Sequence, residues 1–127
     1  MLIRNLDRDA EPFTTVDGST IREIMHPRYG EGALQSLAEA TLPAGAATVP
    51  HWHGAAEELY FILSGRGRME VDGESRDVAA GDCVLIAPGA RHTIAALEDL
   101  RFLCCCAPPY RDDDTFFDAA DAGGRSG

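Results

Sequence analysis

The sequence predicts an all-β protein, a sandwich or barrel of short strands. Short apolar or alternating runs recur along the chain and are separated by glycine, proline and aspartate, a spacing typical of such folds. Helical periodicity of the apolar residues is hard to find. The chain has 127 residues, of which 45% are hydrophobic and 25% charged, so we expect one domain with a core of its own.

The predicted strands follow one another with turn residues between them. They are Thr20–Met25, Leu34–Leu42, Thr48–His53, Glu58–Leu63, Gly67–Val71, Glu74–Val78, Cys83–Ala87, His92–Ala96 and Leu100–Cys106. Asp72-Gly73 is the strongest hairpin signal, because a type I′ turn needs positive φ at both central residues. Pro108-Pro109 closes the strand region. Beyond it, Arg111–Thr115 is expected to start a short helix with an aspartate as N-cap.

Charge and composition exclude several classes of function. Acidic residues outnumber basic ones by 21 to 11, which gives a net charge of −10, so nucleic acid and anionic membrane surfaces are excluded as partners. Every basic residue is arginine, which excludes lysine Schiff-base chemistry and a P-loop. No run is long and apolar enough to span a membrane, and the first residues lack a signal-peptide core.

The cysteines are spaced unlike those of a disulfide-bonded protein. Cys83 stands alone and Cys104–Cys106 are consecutive, which matches neither a disulfide framework nor a zinc knuckle. We therefore expect reduced thiols and a cytoplasmic location.

Three histidines and one glutamate are spaced so that they can meet at one point. His51 and His53 lie two residues apart, and on a strand this places both imidazoles on the same face. Glu58 opens the next predicted strand, and His92 opens a later one. Three neutral nitrogens and one anionic oxygen suit a divalent transition metal.

The spacing around these residues resembles the cupin superfamily. The first cupin motif is matched at every fixed position by Gly45-x(5)-His51-x-His53-x(4)-Glu58-x(6)-Gly65. The second motif is matched by Gly81-x(7)-Gly89-x(2)-His92. It departs at Ala87 and Ala96, where the family has proline and asparagine. Neither departure removes a metal ligand.

The resemblance implies a jelly-roll β-barrel or sandwich with a short C-terminal extension. We divide the chain into an N-terminal strand segment of residues 1–33, a cupin barrel of residues 34–110 and an acidic C-terminal tail of residues 111–127. The resemblance also implies one bound metal ion with two or three open coordination positions, and its ligands are His51, His53, Glu58 and His92. Iron, manganese, nickel, zinc, cobalt and copper are not distinguished by these ligands.

Two neighbours of Glu58 are the candidate catalytic residues. Tyr60 shares the inner face of its strand, either as a core tyrosine with a satisfied hydroxyl or as a pocket residue that orients substrate. Glu57 would point outwards on a regular strand, which favours a surface carboxylate. An irregular turn would instead make it a base near the metal. The cavity wall is predicted to be mainly apolar, from Tyr60, Ile62, Ile94 and Phe102.

Five further residues have weaker assignments. Arg22 and Arg28 are candidates to anchor an anionic substrate, and Tyr110 is a candidate to cover the mouth of the barrel. Cys104 and Cys106 share one strand face and are expected to be small buried hydrophobes. The alternative is a thiol that ligates the metal or cross-links to a side chain. His26 lies outside both motifs and has no assigned role.

These observations predict a metal-dependent enzyme that acts on an oxygenated small molecule, in a dioxygenase, cyclase or isomerase reaction of small-molecule or natural-product metabolism. The alternative is a non-catalytic cupin that binds a metal or a small ligand. A homodimer is also expected, because exposed sheet edges must be paired or covered. Thr20–Met25 is the segment that protomers could exchange.

Overall fold

A computed structural model describes residues 1–30 and 32–119 and shows two antiparallel β-sheets. One helical turn, α1, spans Leu6–Asp9, and 3-10 turns cover Pro27–Tyr29 and Asp112–Asp114. The strands within these residues are β1 (Pro12–Thr14), β2 (Thr20–Met25), β3 (Ser36–Leu42), β4 (His51–His53), β5 (Glu57–Ser64), β6 (Arg66–Val71), β7 (Glu74–Ala79), β8 (Cys83–Ile86), β9 (His92–Ala96), β10 (Leu100–Ala107) and β11 (Thr115–Phe117).

The strand order places segments that are distant in sequence side by side. One sheet has six strands in the order β1-β2-β3-β10-β5-β8, and the other has five in the order β11-β4-β9-β6-β7. Strand β10 pairs with both β3 and β5, so long connections cross between the sheets, as in a jelly roll. The predicted all-β class and the jelly roll implied by the resemblance are confirmed.

The core lies between the two sheets and is built from alternate residues of each strand. On β5, Glu58, Tyr60 and Ile62 are buried, whereas Leu59 and Phe61 are each 40% exposed. This alternation follows from the two-residue period of a strand. The largest apolar side chains that are almost completely buried are Leu42, Ile62, Ile86, Ile94, Leu100 and Phe102.

Two glycine turns fix how neighbouring strands connect. Asp72 and Gly73 have φ values of 48° and 84°, so the predicted hairpin turn between β6 and β7 is confirmed. Gly65 joins β5 to β6 with a φ of 84°, and a Cβ at this position would overlap the carbonyl oxygen of Asp99. A side chain at Gly65 would therefore collide with backbone, whereas one at Gly73 would meet nothing within 4 Å.

The structure differs from the predicted elements at the ends of the chain. α1, β1 and β11 were not predicted, and the strand predicted from Thr48 begins only at His51. Pro50 precedes it and has no N–H to give to a strand ladder. Strand β2 pairs with β3 of the same chain. Residues 120–127 of the predicted acidic tail lie outside the described residues.

The predicted aspartate N-cap near residue 111 is wrong. The turn at Asp112–Asp114 has Arg111 at its N-cap position, and Arg111 makes no side-chain cap. Asp114 instead accepts hydrogen bonds from the backbone N–H groups of Ala55 and Ala56 at 2.9 and 3.2 Å. It therefore caps the connection between β4 and β5. Among the described residues, no helix is long and apolar enough to cross a bilayer.

Candidate metal centre

The four predicted ligands come together between the sheets. His51 and His53 lie on β4 and His92 begins β9, both in the five-stranded sheet, whereas Glu58 lies on β5 of the six-stranded sheet. All four are buried, with at most 4% of each residue exposed. One ligand nitrogen from each histidine lies within 4.8 Å of the other two.

The glutamate faces the histidine cluster through one oxygen. Glu58 Oε1 lies 3.2 Å from His53 Nε2 and 3.4 Å from His92 Nε2. The His51 and His92 rings are close as well, with centroids 4.3 Å apart. The structure thus brings together every residue that the sequence assigned as a ligand.

Backbone carbonyls fix the proton positions on two of the imidazoles. His51 Nδ1 lies 2.8 Å from the Val49 carbonyl oxygen, and His92 Nδ1 lies 2.9 Å from that of Ala90. Because a carbonyl oxygen only accepts, both Nδ1 atoms carry the proton. In the neutral form of each ring, Nε2 therefore presents a lone pair.

A hydroxyl does the same for the third imidazole. The Thr115 hydroxyl donates to the Arg111 carbonyl oxygen at 2.9 Å, so towards His53 Nδ1, 3.1 Å away, it acts as an acceptor. His53 therefore also carries its proton on Nδ1 and presents Nε2 to the cluster. An outer hydrogen bond of this kind sets the orientation of a metal-binding histidine.

The arrangement of lone pairs fits a bound cation. Within the described part of the chain, His92 Nε2 is the buried side-chain nitrogen or oxygen that has no hydrogen-bond partner. His53 Nε2 and the Glu58 carboxylate also face each other with lone pairs at 3.2 Å. Buried polar atoms are rarely left without partners, and a divalent metal ion would satisfy all of these atoms at once.

Burial and neighbouring charges set the protonation of two ligands. Burial, with a smaller contribution from His92, lowers the pKa of His51 to about 4, so His51 is neutral near pH 7, as metal ligation requires. Burial alone would raise the pKa of Glu58, but in the absence of a metal, hydrogen bonds and positive charge from the His53 and His92 imidazoles, when these carry a proton on Nε2, hold this pKa well below its ordinary value. With three neutral imidazoles and one carboxylate, a divalent ion would leave a net charge near +1.

The other Glu58 oxygen is held by a cysteine. The Cys106 thiol donates to Glu58 Oε2 at 3.3 Å, and Cys106 is only 2% exposed. Burial, together with the Glu58 charge, holds the pKa of this thiol far above its usual value, so it stays a protonated donor. All four cysteines are free. Cys106 contacts the carboxylate on the oxygen that faces away from His53.

A cavity of about 230 Å³ adjoins the cluster. Its wall includes Tyr60 and Phe102, as predicted, together with residues 13–17 of the N-terminal segment. Ile62 and Ile94, predicted for the same wall, are instead fully buried in the closed core. They lie farther along their strands than Glu58 and His92, where the two sheets pack directly on each other.

The candidate catalytic residues occupy different faces of β5. Tyr60 is 3% exposed, and its ring meets His92 edge-on at 5.8 Å. Its hydroxyl has no hydrogen-bond partner among the described residues, and Tyr60 lines the cavity. Glu57 is exposed, because β5 is already regular at this residue and turns its side chain away from Glu58. The structure thus gives Glu57 a surface position.

The two candidate arginines differ in their access to the cavity. Arg22 binds Glu39 through two hydrogen bonds of 2.7 and 2.9 Å and does not contribute to the cavity wall. Arg28 does line the cavity, but its Nε lies 3.3 Å from Glu23 Oε1. Its charge is therefore already balanced by a carboxylate.

Tyr110 lines the cavity and is held in place by His26. Its ring lies 5.8 Å from that of His53, and its place at the mouth of the barrel stays a prediction. His26 Nδ1 accepts from the Arg28 backbone N–H at 3.2 Å. Its Nε2 therefore donates to the Tyr110 carbonyl oxygen at 2.9 Å. His26 thus fastens Tyr110 to the N-terminal segment.

Two residues of the site were missed by the sequence analysis. Thr115 orients His53 from β11, and Asp17 lines the cavity from the turn between β1 and β2. Asp17-Gly18 is a turn signal like Asp72-Gly73 and could have located the turn, but not the direction of the Asp17 side chain. No local signal pointed to Thr115, because its contact with His53 is set by the pairing of β11 with β4.

The fold and the site together define a class: small jelly-roll proteins with an internal histidine and glutamate cluster suited to a divalent metal ion. A family profile described as "Cupin domain" matches residues 38–106. The chain belongs to this cupin family, which confirms the resemblance seen in the sequence.

Three similar proteins extend this comparison. MJ1618 of Methanocaldococcus jannaschii, an uncharacterized protein, is 46% identical over 107 residues, which cover 83% of this chain and 86% of that protein. An oxalate-binding protein of Thermotoga maritima is 31% identical over 84 residues, or 65% of each chain. The structure of KdgF from Halomonas sp. superposes with a TM-score of 0.76 at 20% identity, covering 89% of this chain and 97% of KdgF. At this identity, the likeness to KdgF shows a shared fold.

Proposed function

We propose that the protein is a metal-dependent cupin enzyme that acts on an oxygenated small molecule by oxidation, cyclisation or rearrangement. The observation that carries the proposal is the buried His92 Nε2 without a partner, which faces Glu58 beside a cavity. A bound divalent ion would supply Lewis-acid chemistry at open coordination positions and would favour substrates that offer oxygen atoms.

The residues of the chain have distinct parts in this proposal. The ligands would be His51, His53, Glu58 and His92. Tyr60 lines the cavity, and its hydroxyl makes no hydrogen bond to a described residue, so it is suited to bind substrate through a hydrogen bond. Phe102 supplies an apolar wall that restricts the entry of water.

The alternative is a non-catalytic cupin that binds a metal or a small ligand. It is supported by the 31% identity to a protein named for binding oxalate. The two candidates share the metal site and differ only in turnover.

Elemental analysis tests the metal site. Protein purified without chelator should contain about one transition-metal ion per chain, and His92→Ala should lose most of it while keeping its circular dichroism spectrum. His26→Ala is the matched control, because His26 lies outside the cluster, and this variant should keep its metal. Metal-free protein that stays empty when metal is added would contradict the proposal.

Oxygen dependence separates the reaction types. Candidate substrates are chosen from the metabolic functions of the neighbouring genes. Each is incubated with iron-loaded, zinc-loaded and nickel-loaded protein, with and without oxygen. Oxygen consumption by the iron form indicates a dioxygenase, and turnover without oxygen by the zinc or nickel form indicates a cyclase or isomerase. Binding without any turnover would favour the non-catalytic alternative.

The proposal includes a cytoplasmic homodimer. The free cysteines support a reducing compartment.

An edge of the six-stranded sheet is formed by β8, where Leu85 is 60% exposed, and such an edge favours pairing with a second copy. Sedimentation at micromolar concentration should give the mass of a dimer, and a monomer would contradict this part of the proposal.

A further inference from the structure

The cavity beside the metal cluster has an acidic wall. The charged side chains that line it among the described residues are Asp17, Glu23, Glu58, Asp112 and Arg28. Arg28 already pairs with Glu23 at 3.3 Å, so it adds little positive charge for a ligand. Because Arg28 also balances Glu23, and Glu58 belongs to the metal cluster, the carboxylates that an anionic ligand meets in addition are Asp17 and Asp112. Like charges at close range are costly.

Asp17 divides its two carboxylate oxygens between different tasks. Oδ1 accepts from the Ser19 backbone N–H at 2.9 Å, from the Ser19 hydroxyl at 2.7 Å and from the Thr15 hydroxyl. Oδ2 makes no hydrogen bond to any residue in the part of the chain that the structure describes. One oxygen thus fixes the turn, and the other stays available as an acceptor.

The turn that carries Asp17 is tied to the metal cluster through one residue. Val49 donates its backbone N–H to the Asp17 carbonyl oxygen at 2.8 Å, and the Val49 carbonyl accepts from His51 Nδ1, also at 2.8 Å. The position of Asp17 is therefore set relative to a ligand histidine. Asp17 and Tyr60 both line the cavity, so Asp17 borders the same space as the cluster.

We propose that this cavity takes a neutral hydroxy-carbonyl compound, one hydroxyl of which donates to Asp17 while the adjacent oxygens face the histidine cluster. The inference rests on the proposed metal site and names its class of substrate. A hydroxyl has a proton to give to Asp17, whereas an ionised carboxylate has none and is repelled. Asp17 thus separates neutral hydroxylated ligands from dicarboxylates such as oxalate.

Three hydroxypyrones test this inference. Allomaltol, kojic acid and comenic acid share one metal-chelating hydroxy-ketone, which gives up the same hydroxyl proton to the buffer in all three, and carry methyl, hydroxymethyl and carboxylate, respectively, at the same ring position, so that they differ only in this group. Each is titrated into cobalt-loaded protein, and binding is followed by the visible absorption of the metal. We expect kojic acid to bind about tenfold more tightly than allomaltol, the size of effect of a hydrogen bond to a charged group. Comenic acid should bind more weakly than both.

Asp17→Asn is the diagnostic variant. Asparagine keeps an amide oxygen for the Ser19 contacts but removes the charge and presents a donor in place of the second acceptor. In this variant, the preference for kojic acid over allomaltol should fall below about threefold, and comenic acid should bind more tightly than to the unaltered protein. Asp82→Asn is the matched control, since Asp82 caps the Ala79 N–H at 2.8 Å in an exposed turn. It should leave all three affinities unchanged.

The outcomes distinguish the inferred substrate class from the proposed metal site on which it rests. Tightest binding by comenic acid in the unaltered protein, or an Asp17→Asn variant with the original preferences, would overturn the neutral-ligand inference alone. If Asp17→Asn does not fold, the order of the three probes in the unaltered protein decides. If none of the probes changes the cobalt spectrum, the open metal centre itself is overturned, and the substrate class falls with it.

Discussion

At the scale of single residues, the orientation of His53 depends on Thr115, which is 62 positions away in the sequence. The Thr115 hydroxyl can accept from His53 only because its own proton goes to Arg111. Without this acceptor, the His53 ring could rotate or carry its proton on Nε2. In either case Nε2 would no longer direct a lone pair at the cluster. Thr115 is therefore a positioning residue for a ligand, not a ligand itself.

Thr115→Val should lower metal affinity by about 10-fold to 100-fold, the usual effect of losing an outer hydrogen bond to a ligand histidine. Competition with a chromophoric chelator measures this affinity. Thr115→Ser keeps the hydroxyl and should stay close to the original value. Equal affinities for the valine and serine variants would show that the contact does not orient His53.

The cysteines should differ in reactivity according to their burial. Cys83 is exposed, whereas Cys106 is buried. Burial raises the pKa of both Cys104 and Cys106, and the thiolate is the reactive form. A thiol reagent should therefore label Cys83 first, and Cys104 and Cys106 only after unfolding. Mass spectrometry of labelled peptides over time measures the order, and fast labelling of Cys106 in the folded protein would refute it.

The cluster of three histidines and one glutamate could be predicted from sequence because its members lie in two short segments with fixed spacing. His51 and His53 share a strand face by the two-residue period alone, and Glu58 and His92 follow from the motif. Asp17 and Thr115 could not be assigned in this way. Their roles arise from the pairing of the first and last strands with the rest of the sandwich, and nothing in the neighbouring residues encodes that pairing.

At the scale of secondary-structure elements, the shortest strands were the ones missed. β1 and β11 have three residues each, too few to show alternation, and β1 begins with Pro12. The longer strands, such as β5 and β10, were predicted with boundaries shifted by a residue. The β4–β5 connection gains its shape from Asp114, which caps the backbone of Ala55 and Ala56 from another part of the chain.

Gly65→Ala should be among the most damaging substitutions in a turn of this protein. The new Cβ would overlap the Asp99 carbonyl, and we expect a loss in the free energy of unfolding of about 3 kcal/mol or more. Gly73→Ala is the control. Gly73 also has a φ of 84° but has nothing within 4 Å of its Cβ position, so it should lose only about 1 kcal/mol.

Urea unfolding of both glycine variants measures the difference. Because the two glycines share the same backbone conformation, a larger loss at Gly65 isolates the collision with the backbone from the cost of the positive φ. Equal losses at the two positions would show that the segment around Asp99 yields to the added methyl group.

At the scale of the whole molecule, stability without metal should fall as the pH drops. The pKa of His51 is about 4 in the folded protein against an ordinary 6.5, so folding favours the neutral ring. The contribution of His51 is fully present above pH 6.5 and is lost as the pH falls towards 4. By pH 4.5 the expected loss is on the order of 2–3 kcal/mol.

Urea unfolding in the presence of a chelator, at pH values from 7.5 to 4.5, measures this dependence. The pKa of Glu58 is lowered, so the folded carboxylate stays ionised over that range, and protonation of the unfolded carboxylate adds less than about 0.5 kcal/mol by pH 4.5. His51→Gln cannot titrate and should have a clearly flatter profile. An identical slope in this variant would assign the pH dependence to other groups.

The four residues of the candidate metal centre are divided between the two sheets, with the imidazoles on one and Glu58 on the other. An ion held by both walls acts as a removable cross-link through the middle of the sandwich. Its release breaks contacts with both sheets, so its residence time depends on slow opening motions of the whole domain as well as on ligand strength. Hydrostatic pressure, which favours hydrated and less voided states, should accordingly hasten the exchange of the ion before any strand melts.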